Sequence, residues 1–238
     1  MERDSLVNYF MALPAHKRLE KRTEIWGRVH EIDSITKGIT MDFIKSHIDT
    51  YEAMIQLTYL KTSIPKDALQ ALFNQVSDEI KSSKYGKVIS IYLNEKVPEI
   101  GDYYHDFKAI NSSGDSIKFS DFLGKYILLD FTAAYCGACI QAAKELRLIH
   151  KTHGDSLQIV GFNTDAKKEV WLSSLKRDSV SWISLWDGKG SYGETYIKYG
   201  INGVPAFYLL APDGKVIDKW VGYGKGLLEN KVKRFIKN

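Results

Sequence analysis

The stretch KYILLDF, residues 125–131, constrains the fold more than any other part of the chain. It is a continuous apolar run rather than an alternating one, so as a strand it must be covered on both faces, in a sheet flanked by helices. The following pattern meets that demand. Residues 137–152 carry a helical repeat with Cys139, Ala142, Ala143, Leu146 and Ile149 on the inward face, LQIVGFN (157–163) is a second buried strand, and 166–177 reads as a helix. WISLW (182–186) is a short strand and SYGETYIKYG (191–200) a helix ended by Gly200. PAFYLLA (205–211) and VIDKWV (216–221) are strands around a PDGK turn, and 226–237 is a closing helix. Before the central run, DFKAINSSGDSIKF (106–119) reads as two short strands around a Gly114–Asp115 turn. The alternation predicts an α/β domain, with a central mixed sheet flanked by helices.

The first hundred residues read differently. Residues 15–36 place Leu19, Ile25, Trp26, Val29, Ile32 and Ile35 at helical spacing, and further helices are expected over 40–60, 65–82 and 85–96. Pro65 suits a first helical position, with Leu69, Leu72, Phe73, Val76 and Ile80 on one face. Tyr51 and Tyr59, two turns apart, are expected in the core. VPEIGDYYHDF (97–107) breaks the helical pattern at Pro98 and Gly101. We therefore expect an all-helical N-terminal region (1–97), a linker (98–104) and the α/β domain (105–238), a division that suits 238 residues.

With 44% hydrophobic and 26% charged residues the composition is that of a globular protein, and the net charge of +4 is spread without a basic block. Nucleic acid and anionic lipid are not expected as main partners. No run approaches the roughly 18 apolar residues of a membrane span. The charged start, MERDSLVNYFMALPAHKRLEKR, lacks the apolar core of a secretory signal. The expectation is a cytosolic protein or an exported one whose signal lies outside this chain.

The chain has two cysteines, Cys136 and Cys139, so all thiol chemistry sits in one place. Structural zinc needs four ligands; His150 and His153 are spaced by two residues and lie roughly 16–20 Å along the helix. Haem attachment needs a histidine where Ile140 stands. A peroxidatic cysteine would need threonine three residues earlier, where Ala133 stands; Thr132 is one place too far. A static bridge closing so short a loop restrains the unfolded chain little. Redox exchange explains more. A strand running into a helix N-terminus aims unpaired N–H groups and the helix dipole at the first sulfur. Lowering its pKa from about 8.5 to about 7 requires roughly 2 kcal/mol. Cys136, at the turn, is expected to attack, and Cys139, one turn in on the buried side, to resolve.

LLDFTAAYCGAC (128–139) resembles the active-site segment of the thioredoxin-like superfamily, and YGINGVPAFYLLAPDGKVIDKWVGYGKG (199–226) resembles that family's second conserved segment. The extra strands before the active-site strand and VSWISLW (180–186) are similar to the TlpA-type branch, the exported thiol-disulfide oxidoreductases of bacteria. The resemblance implies a thioredoxin-like domain over about residues 105–238 that reduces protein disulfides through Cys136 and Cys139, with no cofactor beyond the redox-active disulfide and no metal. Asp130 matches the family's buried acid, a base toward Cys139 acting through water. Pro205 matches its cis-proline, Val204 offers backbone to substrate, and Gly222 and Tyr135 border the site. Implied partners are protein disulfide substrates and an external thiol donor protein. The implied location is the bacterial periplasm or envelope, with any membrane anchor outside this chain and the cytoplasm as the alternative. A disulfide oxidase or isomerase, or a non-catalytic binding module, are the alternative functions. Ala138 replaces the family's proline, Tyr135 its tryptophan, and Ala142 the glutamate of many TlpA-type reductases; Glu145 is the nearest acid, a further turn along. GYGKG (222–226) is read as a connection, not a phosphate cradle, and Trp171, Trp182 and Trp186 as packing.

Overall fold

The computed structural model describes residues 2–236, and the chain divides into two compact units between Ile89 and Ser90.

The first unit is helical: α1 (Glu2–Ala12), α2 (Ala15–Ser46), α3 (Tyr51–Leu60), α4 (Lys66–Asn74), α5 (Asp78–Ser82) and the start of α6 (Lys84–Asn94). Several sequence expectations are corrected here. The helix expected to stop at residue 36 runs 32 residues to Ser46, because Gly38 faces open space and an exposed helical glycine costs only about 1 kcal/mol. The break falls at 47–50, where the Thr50 side chain accepts the Ala53 amide (3.2 Å) and caps α3. Residues 65–82 form two helices, since Asp49 captures the Ser77 amide (2.7 Å) between them, and Pro65 precedes the first helical residue. Ile25 and Val29 are buried, whereas Leu19 and Ile35 are exposed. Tyr51 and Tyr59 are also exposed, so Ala53, Met54 and Leu57 form the core face of α3 instead.

The second unit is built on a seven-stranded mixed sheet. Its strands are β1 (Lys108–Asn111), β2 (Ser116–Lys118), β3 (Tyr126–Thr132), β4 (Leu157–Asn163), β5 (Ile183–Trp186), β6 (Ala206–Leu210) and β7 (Val216–Val221), in the order β2-β1-β5-β4-β3-β6-β7. The strands β3, β4 and β5 are parallel, joined by α7 (Gly137–His153) and α8 (Lys168–Arg177), while β6 is antiparallel to β3 and β7 to β6. The short α9 (Glu194–Lys198) and α10 (Leu227–Lys233) complete the unit. The helix expected over 191–200 begins only after Gly193, where any Cβ would meet Asp187 Oδ2 at 2.6 Å. It ends at Lys198, and Gly200, just past the Tyr199 cap, takes φ of +63° and stops it, as expected. The expected helix over 226–237 is regular only as far as Lys233, and residue 237 lies outside the described residues.

Strand alternation divides β3 between two cores. Ile127, Leu129 and Phe131 face a layer with Phe119, Phe162, Tyr199 and Tyr208. Leu128 faces the other layer, with Ala142, Ala143, Leu146 and Ile149 of α7, Phe207, Leu209, and Leu228 and Val232 of α10. The inward face expected for the cysteine helix is the one observed: all five of its residues are buried.

One acid fixes how α7 lies. Glu145 is buried, and its carboxylate accepts the amides of Gly226 (3.0 Å) and Glu229 (2.9 Å) at the start of α10. Charge-assisted bonds of this kind stabilise by about 1.5–3 kcal/mol. Glu145→Ala is therefore expected to lower unfolding free energy by about 2–3 kcal/mol in urea titration. Disulfide exchange measured well below the midpoint should be unchanged, because this acid serves packing.

Candidate active site

The strand β3 ends at Thr132, and a tight turn leads to Gly137, the first residue of α7. Cys136 occupies the N-cap, where its Sγ accepts the Cys139 amide at 3.1 Å. The two cysteines form a disulfide with Cα atoms 5.2 Å apart. Their surroundings are unequal: Cys136 is half-buried behind an exposed Tyr135, whereas Cys139 is 5% exposed beneath the helix. Cys136 thus sits at the N-terminal, positive end of the α7 dipole.

A second segment closes over that sulfur. The Val204–Pro205 peptide is cis, and the Val204 carbonyl oxygen lies 3.4 Å from Cys136 Sγ. The Pro205 carbonyl accepts the Gly222 amide at 2.8 Å, and Gly222 has φ of +90°, a conformation that side-chain-bearing residues avoid. The structure thus brings Cys136, Cys139, Val204, Pro205 and Gly222 together, with Tyr135 on the rim.

Asp130 lies one layer below. On β3 it alternates with Leu129 and Phe131, so it shares the α7 face with Leu128, between Gly161 on β4 and Phe207 on β6. Among the described residues its Oδ1 is buried without a hydrogen-bond partner, and burial pushes its carboxyl up to about 7. A group poised there at neutral pH can accept a proton. Among the described residues no cluster of three or more His, Cys, Asp and Glu side chains is arranged to hold a metal.

Sequence reasoning missed two residues that grip the cysteine turn. Buried Ala134, two residues before Cys136, donates its amide to Asp165 Oδ2 (2.8 Å) and receives Arg177 Nη1 on its carbonyl (2.7 Å). Asp165 is itself held: its amide donates to Asn163 Oδ1 (2.9 Å), and its carbonyl accepts Trp186 Nε1 (2.6 Å). Arg177 is aligned by two bonds to Asp178, at 2.8 and 2.6 Å. No residue spacing announces this clamp. Parallel pairing of β3 with β4 was the available signal, because it brings the loops after both strands to one end of the sheet.

Fold and site together define a thioredoxin-like domain with a redox-active cysteine pair. The Thioredoxin-like family profile matches residues 124–216. A solved C-terminal domain from Bacteroides thetaiotaomicron, named for thiol-disulfide oxidoreductase activity, is 31% identical; the match covers 57% of this chain and 95% of that one, with a TM-score of 0.52. Thiol-disulfide oxidoreductase ResA of Bacillus thuringiensis is 26% identical over 132 residues, 55% of this chain and 75% of ResA. A rice protein named as a nucleoredoxin is 25% identical over 114 residues, and the chain spans only 28% of its length. The chain belongs to the thioredoxin-like family, with a domain of the thiol-disulfide oxidoreductase type.

The clamp on Ala134 generates a prediction. Asp165→Ala should lower the rate of disulfide exchange about tenfold while costing about 1–2 kcal/mol of stability. Stopped-flow reduction of a model disulfide, paired with thermal unfolding, checks both numbers; an unchanged rate contradicts the positioning role.

Proposed function

We propose that this chain is a reductase of protein disulfides, and the observation that carries the proposal is the inequality of the two sulfurs. In the reduced protein the Cys136 thiolate attacks a substrate disulfide. One substrate sulfur leaves with the electron pair and takes up a proton, and the other is held in a mixed disulfide. An extended substrate segment lies along the Val204 backbone, bordered by Tyr135, Pro205 and Gly222. Cys139 then attacks Cys136 Sγ, the second substrate thiol is released, and the Cys139 proton passes to Asp130. The chain ends with the Cys136–Cys139 disulfide, and two electrons have moved to the substrate. An external thiol donor protein then restores the dithiol.

Under this proposal the catalytic domain is 105–238, preceded by the linker 98–104 and the helical region 1–97. The proposed location is the bacterial envelope, on the resemblance to the TlpA-type branch. Among the described residues no helix is long and apolar enough to cross a membrane.

Reduction of insulin tests the direction of exchange, with Cys136→Ser as the inactive control. The raised pKa of Asp130 gives the assay a second readout. Below about 7 the buried acid keeps its proton and cannot take another, so the resolving step should accelerate as pH rises through about 7. Asp130→Asn should remove that inflection and slow resolution by about 100-fold. The same shift fixes a stability effect. The folded state holds the proton that the unfolded chain releases near pH 4, so the wild type loses stability between about pH 4 and 7 and Asp130→Asn should not. Insulin reduction by Cys136→Ser at the wild-type rate would refute the reading.

A further inference from the structure

The hairpin of α1 and α2 in the helical unit carries a surface that disulfide exchange does not use. Its tip is FMALPA, residues 10–15, which holds no charged side chain. Met11 is 60% exposed and Leu19, in the second turn of α2, is 79% exposed, so neither is held by packing within the unit. Directly after the tip come Lys17, Arg18, Lys21 and Arg22, with Glu20 as the one acid among them. Phe10, Ala15, Leu19 and Trp26 line a shallow hollow of about 530 Å³, and Arg18 and Arg22, one turn apart, complete its wall.

These cations stand where helix electrostatics disfavours them. The N-terminus of a helix is its positive end and favours acids, yet the first turn of α2 holds no acid and carries His16, Lys17 and Arg18. Pro14 occupies the N-cap and supplies no side-chain bond. Arg18 is fixed across the turn, its Nε donating to the Leu13 carbonyl at 2.8 Å, and Lys21 pairs with Glu24 at 2.6 Å. Lys17 and Arg22 have no ion-pair partner among the described residues. Exposed apolar side chains beside unneutralised cations fit a partner that is apolar within and anionic at its surface. A bilayer of anionic lipid has that layering, whereas an acidic protein segment offers the charge without the depth.

We propose that the α1–α2 hairpin docks on the surface of an anionic bilayer, sinking Met11 and Leu19 into the interface while Lys17, Arg18, Lys21 and Arg22 meet lipid phosphates. The hollow beside Trp26 gives a lipid an apolar wall, with Arg18 and Arg22 placed for its phosphate. Trp26 is half-buried at the boundary of the two layers, a position that indole rings favour. The net charge of the whole chain is only +4, so the attraction is local to the hairpin. Contact of this kind is peripheral and weakens as salt screens the charges. Neither the exchange chemistry nor its direction enters the inference.

Co-sedimentation of the full chain with vesicles of mixed phosphatidylcholine and phosphatidylglycerol tests this. The wild type should pellet with them, and vesicles of phosphatidylcholine alone should leave it in the supernatant. The double variants Lys17→Glu with Arg22→Glu, and Met11→Asp with Leu19→Asp, should each bind about tenfold more weakly or worse, with unchanged far-UV circular dichroism. Lys144→Glu with Lys225→Glu alters the net charge equally on the second unit, and should bind as the wild type does. An equal loss in that control would show that overall charge drives the attraction and would overturn the hairpin site. Pelleting with phosphatidylcholine alone, or wild-type binding by either hairpin variant, overturns it too. Free poly-glutamate at matched charge should not displace the chain from vesicles; displacement assigns the surface to an acidic protein and refutes the lipid. Depth has its own readout. Leu19→Cys, labelled on the oxidised chain with an environment-sensitive dye, should shift its emission to the blue on the mixed vesicles, and an unshifted spectrum contradicts insertion.

Discussion

The candidate site depends on one hydrogen bond, from the Cys139 amide to Cys136 Sγ at the start of α7. It exists because a strand buried on both faces stops at a helix N-terminus, where backbone donors have no partner within the helix. The sulfur supplies a partner, and under the proposed function the helix dipole is what favours its thiolate. The clamp of Asp165 and Arg177 on Ala134 keeps the turn in the shape this requires. The Val204 carbonyl lies beside the sulfur, and the Pro205–Gly222 contact holds that segment in place.

The second sulfur works by the opposite physics. Cys139 is shielded from solvent on the same side of the sheet as Asp130, so its proton has few places to go. Burial without a cation raises the Asp130 carboxyl to where it can hold or release a proton near neutrality. The arrangement carries a stability cost at high pH, a common feature of functional sites. Glu145 shows the contrast: on the same helix, with two backbone amides on its carboxylate, it anchors α10.

Much of this was legible in the sequence. The runs ILL, IVGF and FYLL are too apolar for any half-exposed strand, and they lie in β3, β4 and β6 as read. The face of α7 was legible because Cys139, Ala142, Ala143, Leu146 and Ile149 follow one helical stripe. The first unit was harder. The helices expected over 15–36 and 40–60 are in fact one 32-residue helix and a second that starts at Tyr51, and Tyr51 and Tyr59 keep helical spacing while facing outward. Asp165 and Arg177 had no signature because they act through space on Ala134, which only the fold brings near.

The most direct test of the unequal sulfurs is the pH dependence of alkylation in the reduced protein, read site by site by mass spectrometry. The account predicts that Cys136 is labelled faster than Cys139, with an apparent pKa clearly below the free-thiol value of about 8.5. Equal, slow labelling of both cysteines, rising only above about pH 8.5, would contradict it.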